Sequence, residues 1–400
     1  MGAWRKLLTA AFKTNPIDGE TVTKRRTLTT AALTLCAVIA ALSASQAALP
    51  AAAPPAAPAG SAELIDKLGL RVAPQPVRER PGWRPPRIVL VNDQMHDLLP
   101  ALRQAAPGAK LIEVPSATAK QIASADAAIG VCSQELLTQA KQLQWIQWPA
   151  AGVDRCVQQP LLRERNVLLT NLQRTMGPSM AEHVLGLMLA LSRHLDYFLK
   201  EQQQARWTRE ESAPQLADLD GKTVLVVGLG GIGTEVARRA NALGMRVVAT
   251  RASGKSGPDF VSYVGLPDEL LKLARDADFV VNCTPLTPQT TGIFNREFFD
   301  TLKPGAYFIS VGRGRSTVTA DLVAALESRR LAGAGLDVVD PEPLPPESAL
   351  WHLPNVIITP HVSANTPVSA EQRNFVLVEN LRRYAAGEPM LSVVDIERGY

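Results

Sequence analysis

A chain of 400 residues is longer than one hydrophobic core ordinarily fills, so two domains are expected. Its 46% hydrophobic and 20% charged residues are the proportions of an ordinary soluble globular protein. The net charge of +4 lies within residues 1–47 and the remainder is balanced, so the folded part has no basic stripe and a nucleic-acid partner is excluded.

The N-terminus reads as an address. Thr23-Lys24-Arg25-Arg26-Thr27-Leu28 precedes an apolar run over 31–42, then Ser45-Gln46-Ala47 before Ala48. A basic region, a short apolar stretch and small residues before a cleavage point make a signal peptide, and the paired arginines are similar to a twin-arginine signal. The expectation is export to the periplasm through the matching machinery, with 1–47 as the signal peptide. An uncut membrane anchor is the alternative, but the apolar run is well short of the roughly 20 residues needed to span. Residues 48–84, rich in Ala and Pro at their start, are expected to be a linker. Because twin-arginine export carries folded proteins, a protein on this route is expected to travel with any tightly held cofactor already bound.

From residue 85 short β-type runs alternate with helical ones, which argues for parallel sheets covered by helices. Strands are expected at 88–91, 111–114, 127–131 and 145–148, with helices at 95–104 and 133–141. One long helix is expected over 180–204. A second set of strands follows at 223–227, 246–250, 279–282, 306–310, 335–338 and 356–358. Its helices are expected at 233–243, 268–274, 296–301 and 320–328. A last helix, 369–386, is expected to return to the first domain. The boundaries are therefore 85–180 with 365–400 for one domain, and 181–364 for the other.

Cys36 lies in the N-terminal apolar run, and Cys132, Cys156 and Cys283 are an odd number without CxxC or metal-ligand spacing. No disulfide framework and no metal site is expected; the thiols are taken as small buried hydrophobes.

The motif that carries chemistry is Gly228-Leu229-Gly230-Gly231-Ile232-Gly233, between an expected strand and an expected helix. Gly228 permits the turn, Gly230 lets backbone approach a pyrophosphate, and Gly233 allows close helix–strand packing. The helix N-terminus then stabilises phosphate charge. At the end of the next strand, where an acidic residue usually holds the ribose diol of NAD, stands Arg251, with Ser253 and Lys255 nearby. A guanidinium suits a 2′-phosphate, so NADP is favoured, with NAD possible.

His361, after Thr359-Pro360, would give a proton to a carbonyl oxygen as hydride reaches the carbon. Glu342 would hold the ring and favour its protonated form, and Arg313 would bind a substrate carboxylate or polarise its carbonyl. His96, His183, His194 and His352 lack such company and are assigned surface or packing roles.

Together these blocks resemble the D-isomer-specific 2-hydroxyacid dehydrogenase family. They are Ala150-Ala151-Gly152-Val153-Asp154, Ala181-Glu182-His183, the glycine loop, Thr284-Pro285-Leu286-Thr287, Val311-Gly312-Arg313-Gly314, 336–344 and Thr359-Pro360-His361. Within that family the chain looks like a glyoxylate/hydroxypyruvate reductase. The resemblance implies an α/β fold of two doubly wound parallel-sheet domains, a Rossmann nucleotide domain and a flavodoxin-like substrate domain. It implies Arg313, Glu342 and His361 as the catalytic three, and Ala151 and Gly152 offering N–H groups to the substrate carboxylate. Asp337 would contact the nicotinamide amide, with Gly228, Gly230, Gly231, Ile232, Gly233, Arg251, Thr284, Pro285, Val311 and Gly312 around the dinucleotide. It further implies a homodimer and a 2-oxo or 2-hydroxy acid as the small-molecule partner. Arg315, Thr317 and Trp148 depart from the family's usual residues, so the acid itself is not specified. Phosphite or formate oxidation and a nucleotide-sensing binding protein are the other readings; Glu342 argues against the formate type, and the complete catalytic set against the sensor.

Overall fold

The computed structural model describes residues 60–209 and 214–400. The expected signal peptide and the linker up to residue 59 lie outside these. Among the described residues no helix is long and apolar enough to cross a membrane.

Helix α1 (Ser61–Leu68) and strand β1 (Val72–Pro76) come first. They correct the expectation of a linker over 48–84. Ile65, Leu68, Leu70 and Val77 are buried, which a tether would not do. The Ala/Pro-rich composition stops before Ser61, and the apolar spacing Leu64, Ile65, Leu68 that follows is helical.

The first sheet takes β2 (Ile88–Val91), α2 (Leu99–Ala105), β3 (Lys110–Glu113), α3 (Ala119–Ala123), β4 (Ala127–Ile129), α4 (Gln134–Gln139), β5 (Trp145–Gln147), α5 (Asp154–Val157), α6 (Pro160–Glu164) and β6 (Leu168–Thr170). Its five strands are all parallel in the order β3-β2-β4-β5-β6, the flavodoxin-like arrangement. The short β6 was not anticipated, although Leu168 and Leu169 are as buried as the strand beside them.

The expected single helix over 180–204 is two helices, α7 (Gly177–Ser192) and α8 (Leu195–Gln203), broken where His194 turns left-handed at φ 49°. The second sheet follows: β7 (Thr223–Val227), α9 (Gly231–Ala242), β8 (Arg246–Thr250), β9 (Tyr263–Gly265), α10 (Leu270–Ala274), β10 (Phe279–Asn282), α11 (Arg296–Thr301), β11 (Ala306–Ser310), α12 (Thr319–Glu327), β12 (Leu331–Leu336) and β13 (Val356–Ile358). The seven strands are parallel in the order β13-β12-β11-β10-β7-β8-β9, a Rossmann sheet with one added edge strand. The chain reverses direction across the sheet between β7 and β10, which is where such sheets bind ligands. Strand β12 starts earlier than expected because Gly333 and Gly335 obscure it. A Cβ on Gly335 would fall 2.9 Å from Leu187 Cβ of α7, so these positions stay small to let that helix lie on the sheet.

Helix α13 (Pro367–Ala386) is capped by the Thr366 hydroxyl and ends at Gly387, φ 71°. It returns to the five-stranded sheet: Tyr384 stacks on Trp145 at 4.7 Å, and Asn380 Nδ2 donates to Gln147 Oε1 at 2.8 Å. Strand β14 (Pro389–Leu391) then pairs antiparallel with β1, tying both ends of the described chain to one domain.

Cys132 and Cys156 form a disulfide, Cα–Cα 5.5 Å, which overturns the expectation of free thiols. They follow neighbouring strands β4 and β5, whose C-terminal ends bring their loops together; that pairing is a product of the sheet order and has no trace in cysteine spacing.

Candidate active site

Gly228 adopts φ 97°, and a Cβ there would sit 2.9 Å from the Cys283 carbonyl oxygen at the end of β10. The turn thus needs glycine twice over, for its left-handed backbone and for its approach across the switch point. Gly233 packs α9 against the loop; its Cβ would fall 2.2 Å from Gly228 O. No atom lies within 4 Å of the Cβ direction of Gly230, so the loop is open where a pyrophosphate would rest. The first-turn N–H groups of α9 have no intrahelical acceptor. This cradle fits a dinucleotide. Arg251 follows β8 with Nε donating to Ser253 Oγ (2.8 Å) and Nη1 to Ser256 O (3.0 Å), and among the described residues no carboxylate pairs with it.

On the far side of the switch point, His361 Nδ1 and Glu342 Oε2 are 2.9 Å apart. The other carboxylate oxygen accepts from Val339 N at 3.1 Å, which fixes the acid toward the ring. His361 stands at φ 55°, held there by its N–H donating to Asp337 O at 2.9 Å. Left-handed histidine is uncommon, and such backbone is retained where the surroundings over-determine it, often at functional sites. Asp337, at the end of β12, is buried and accepts from Thr359 Oγ1 (2.6 Å), Val362 N (2.9 Å) and Ser363 N (3.1 Å). Burial alone would raise its pKa, but the hydrogen bonds from Ser363, Thr359 and Val362 outweigh this and hold it below the ordinary range.

Arg313 reaches across to the other domain. Its Nε donates to Asp154 Oδ1 at 3.1 Å and its Nη1 to Gly312 O at 2.9 Å. Its guanidinium lies on Gly152: a Cβ there would be 1.5 Å from Nη2. The 150–153 loop is braced through its carbonyls, with Trp148 Nε1 on Gly152 O (2.8 Å), Asn171 Nδ2 on Ala151 O (2.7 Å) and Leu172 N on Ala150 O (3.1 Å). Among the described residues the N–H groups of Ala151 and Gly152 find no acceptor. Arg313 and Glu342 share a foundation, since Gly314 backs so closely on Val339 that a Cβ would overlap its carbonyl oxygen.

The family profile described as D-isomer specific 2-hydroxyacid dehydrogenase, NAD binding domain, matches residues 185–363. A glyoxylate/hydroxypyruvate reductase A of Salmonella typhimurium is 36% identical over 261 residues, covering 62% of this chain and 80% of that one. The chain belongs to the D-isomer specific 2-hydroxyacid dehydrogenase family. It is an NAD(P)-dependent oxidoreductase. Two solved structures superpose on it. The D-isomer specific 2-hydroxyacid dehydrogenase of Xanthobacter autotrophicus Py2, in complex with NADPH and MES, does so with TM-score 0.69 at 29% identity, over 79% of this chain and 100% of that one. The NADPH-dependent glyoxylate/hydroxypyruvate reductase of Sinorhizobium meliloti, in complex with NADP and sulfate, gives TM-score 0.68 at 31% identity, over 78% and 100%.

Several residues of this dehydrogenase's site escape sequence reading. Asp154, within the 150–154 block but given no role, is the carboxylate that orients Arg313. Asn282, buried at the end of β10, donates to Ser310 Oγ (3.1 Å) and Ser316 Oγ (2.7 Å), and Ser316 Oγ donates to Arg313 O at 2.6 Å. Asn282 also accepts from Thr284 N (3.0 Å) and Oγ1 (2.7 Å), so the Thr284 hydroxyl is committed inward. His183, read as a packing residue, does have company: its Nε2 is 2.9 Å from Thr359 Oγ1, and since that hydroxyl donates to Asp337, His183 is the donor. His96 likewise pairs with Glu113, at 2.9 Å on the surface. Burial pushes the Cys283 thiol up to about 12, which leaves it no nucleophilic role. Among the described residues no cluster of side chains could hold a metal ion.

Proposed function

We propose that this enzyme reduces a small 2-oxo acid of the glyoxylate or hydroxypyruvate type to the (R)-2-hydroxy acid, with NADPH as its preferred cofactor. The carrying observation is the Glu342–His361 pair at 2.9 Å on loops that also support Arg313 against Gly152. The N–H groups of Ala151 and Gly152 hold the substrate carboxylate, and Arg313 polarises the neighbouring carbonyl. The bound dinucleotide supplies the hydride. As the substrate's C2 is reduced, His361 would give a proton to the oxygen, its ring oriented by Glu342 at Nδ1. Arg251, which among the described residues has no carboxylate partner, supports the preference for a 2′-phosphate, as do the NADP complexes of the two solved relatives.

The experiment is a spectrophotometric screen of 2-oxo acids with NADPH and NADH, alongside Arg251→Asp. Turnover with NADPH favoured is expected, with Arg251→Asp moving the preference toward NADH. Nucleotide binding without turnover of any acid would replace the reductase with a sensor, and oxidation of phosphite would replace the substrate class.

The same proposal covers export to the periplasm with the dinucleotide bound and assembly as a homodimer. The Cys132–Cys156 disulfide supports an oxidising compartment. Exposed Leu195, Leu199, Trp207 (93% exposed) and Leu216 supply apolar surface for a second copy. Cell fractionation tests the first; sedimentation of Trp207→Glu, expected to shift toward monomer, tests the second.

A further inference from the structure

Arg174, in the connection from β6 to α7, is half-buried at φ 70° and among the described residues has no hydrogen bond and no ion pair. An arginine gains nothing from left-handed backbone, so its placement is imposed by the fold. Its stem crosses the start of α9, with Cγ 2.9 Å from where a Gly231 Cβ would be. Its Nη1 is 3.2 Å from the Cβ position of Gly69, at the end of α1. Arg71 stands two residues after Gly69, and Arg251 follows Thr250, whose carbonyl accepts from Gly228 and Leu229 of the glycine loop; both guanidinium groups repel Arg174. The one carboxylate acting on it is Glu235, which already takes Arg238 and Arg239. Among the described residues, three cations from three separate segments thus come together beside a phosphate-type glycine loop with only the shared Glu235 carboxylate acting on Arg174.

We propose that Arg71 and Arg174 complete the dinucleotide's phosphate site with Arg251, so that the N-terminal segment and the interdomain connection grip a ligand otherwise held by the Rossmann domain alone. The site takes a phosphate oxyanion of the dinucleotide. This rests on the nucleotide reading above and extends it: cofactor bound from both domains leaves slowly, as a protein exported with its cofactor requires. Arg71 belongs to the segment that composition assigned to a linker, which gives that segment's docking through β1 and β14 a functional reason.

The test is calorimetric titration of wild type, Arg71→Ser, Arg174→Gln and Arg174→Lys with NADPH, NADH and 2′,5′-ADP, together with thermal unfolding without ligand. Losing a charge-assisted contact is expected to weaken NADPH by about 10- to 100-fold for Arg174→Gln, with Arg174→Lys intermediate. Loss confined to NADPH and 2′,5′-ADP assigns the grip to the 2′-phosphate; equal loss for NADH assigns it to the pyrophosphate; either supports the proposal. Unliganded unfolding temperature is expected to hold or rise, because repulsion is relieved. Unchanged affinities while wild type binds, or a fall in unliganded stability with affinity per folded molecule intact, would make Arg174 a strut and overturn the proposal. Wild type binding neither nucleotide would instead sink the underlying reading.

Discussion

Gly152→Ala isolates the placement of Arg313 from everything else in the cleft. A Cβ at residue 152 would stand 1.5 Å from Arg313 Nη2 and 2.5 Å from Cζ, where ordinary contact needs about 3.5 Å. The guanidinium must therefore retreat by about 2 Å, enough to break its 3.1 Å bond to Asp154. Misplacement of about 1 Å already costs about 10²-fold in rate, so a loss of at least that size in kcat/KM is expected, about 2.7 kcal/mol of transition-state stabilisation. The fold is not expected to suffer, because Gly152 does not have a left-handed φ and the clash is with the far end of a flexible side chain. The residue's N–H survives, so the loss falls on kcat more than on the anchoring of a carboxylate. Steady-state kinetics beside thermal unfolding reads both. Unchanged kcat/KM with unchanged unfolding would mean that Arg313's position does not matter, and the assignment of its role would fall.

His361→Gln is expected to lower kcat by about 10²–10⁴-fold while the Kd for NADPH stays within a few-fold, and loss of both together would mark a structural residue. Asp337→Asn turns one acceptor into a donor facing backbone N–H groups, and should destabilise by about 1–3 kcal/mol in chemical unfolding. Because the folded-state pKa of Asp337 is depressed, its contribution is complete above the unfolded value and lost as pH falls through the folded one. The gap between wild type and Asp337→Asn should therefore be flat above about pH 5 and shrink below about pH 4; a gap that widens in acid would refute the sign. Opening the Cys132–Cys156 link, which closes a 24-residue separation, should cost about 3 kcal/mol in the Cys132→Ser/Cys156→Ser protein and equally in reductant. Peptide mapping without reduction that finds both thiols free would remove the bond and its support for an oxidising compartment.

Much of the nucleotide domain was legible because its strands are uninterrupted apolar runs. β7, β8, β10, β11 and β13 fall where periodicity puts them, and the sheet order follows from βα alternation and right-handed crossovers. What escaped did so for physical reasons. The first residues of β12 lie beside glycines whose job is to admit α7, so composition hides where that strand begins. The helix over 180–204 keeps its apolar spacing through His194, and periodicity does not register a single left-handed residue that redirects the chain.

The site divides along the same line. Residues that act through their type in a local motif, such as the glycine loop or the Pro360-His361 pair, can be picked out of a string. Asp154, Asn282, Arg174 and the partner of Cys132 act through what lies across a cleft or beside a neighbouring strand, at separations of up to 159 residues for Asp154 and Arg313. Burial supplies the missing information. Asn282 is a polar residue at the end of a buried strand, and a buried amide must find partners, so its presence there already implies a network beneath the loop that carries Arg313. The converse holds for Arg174: among the described residues its half-buried guanidinium has no acceptor, and a phosphate of the proposed dinucleotide is the anion that would supply one.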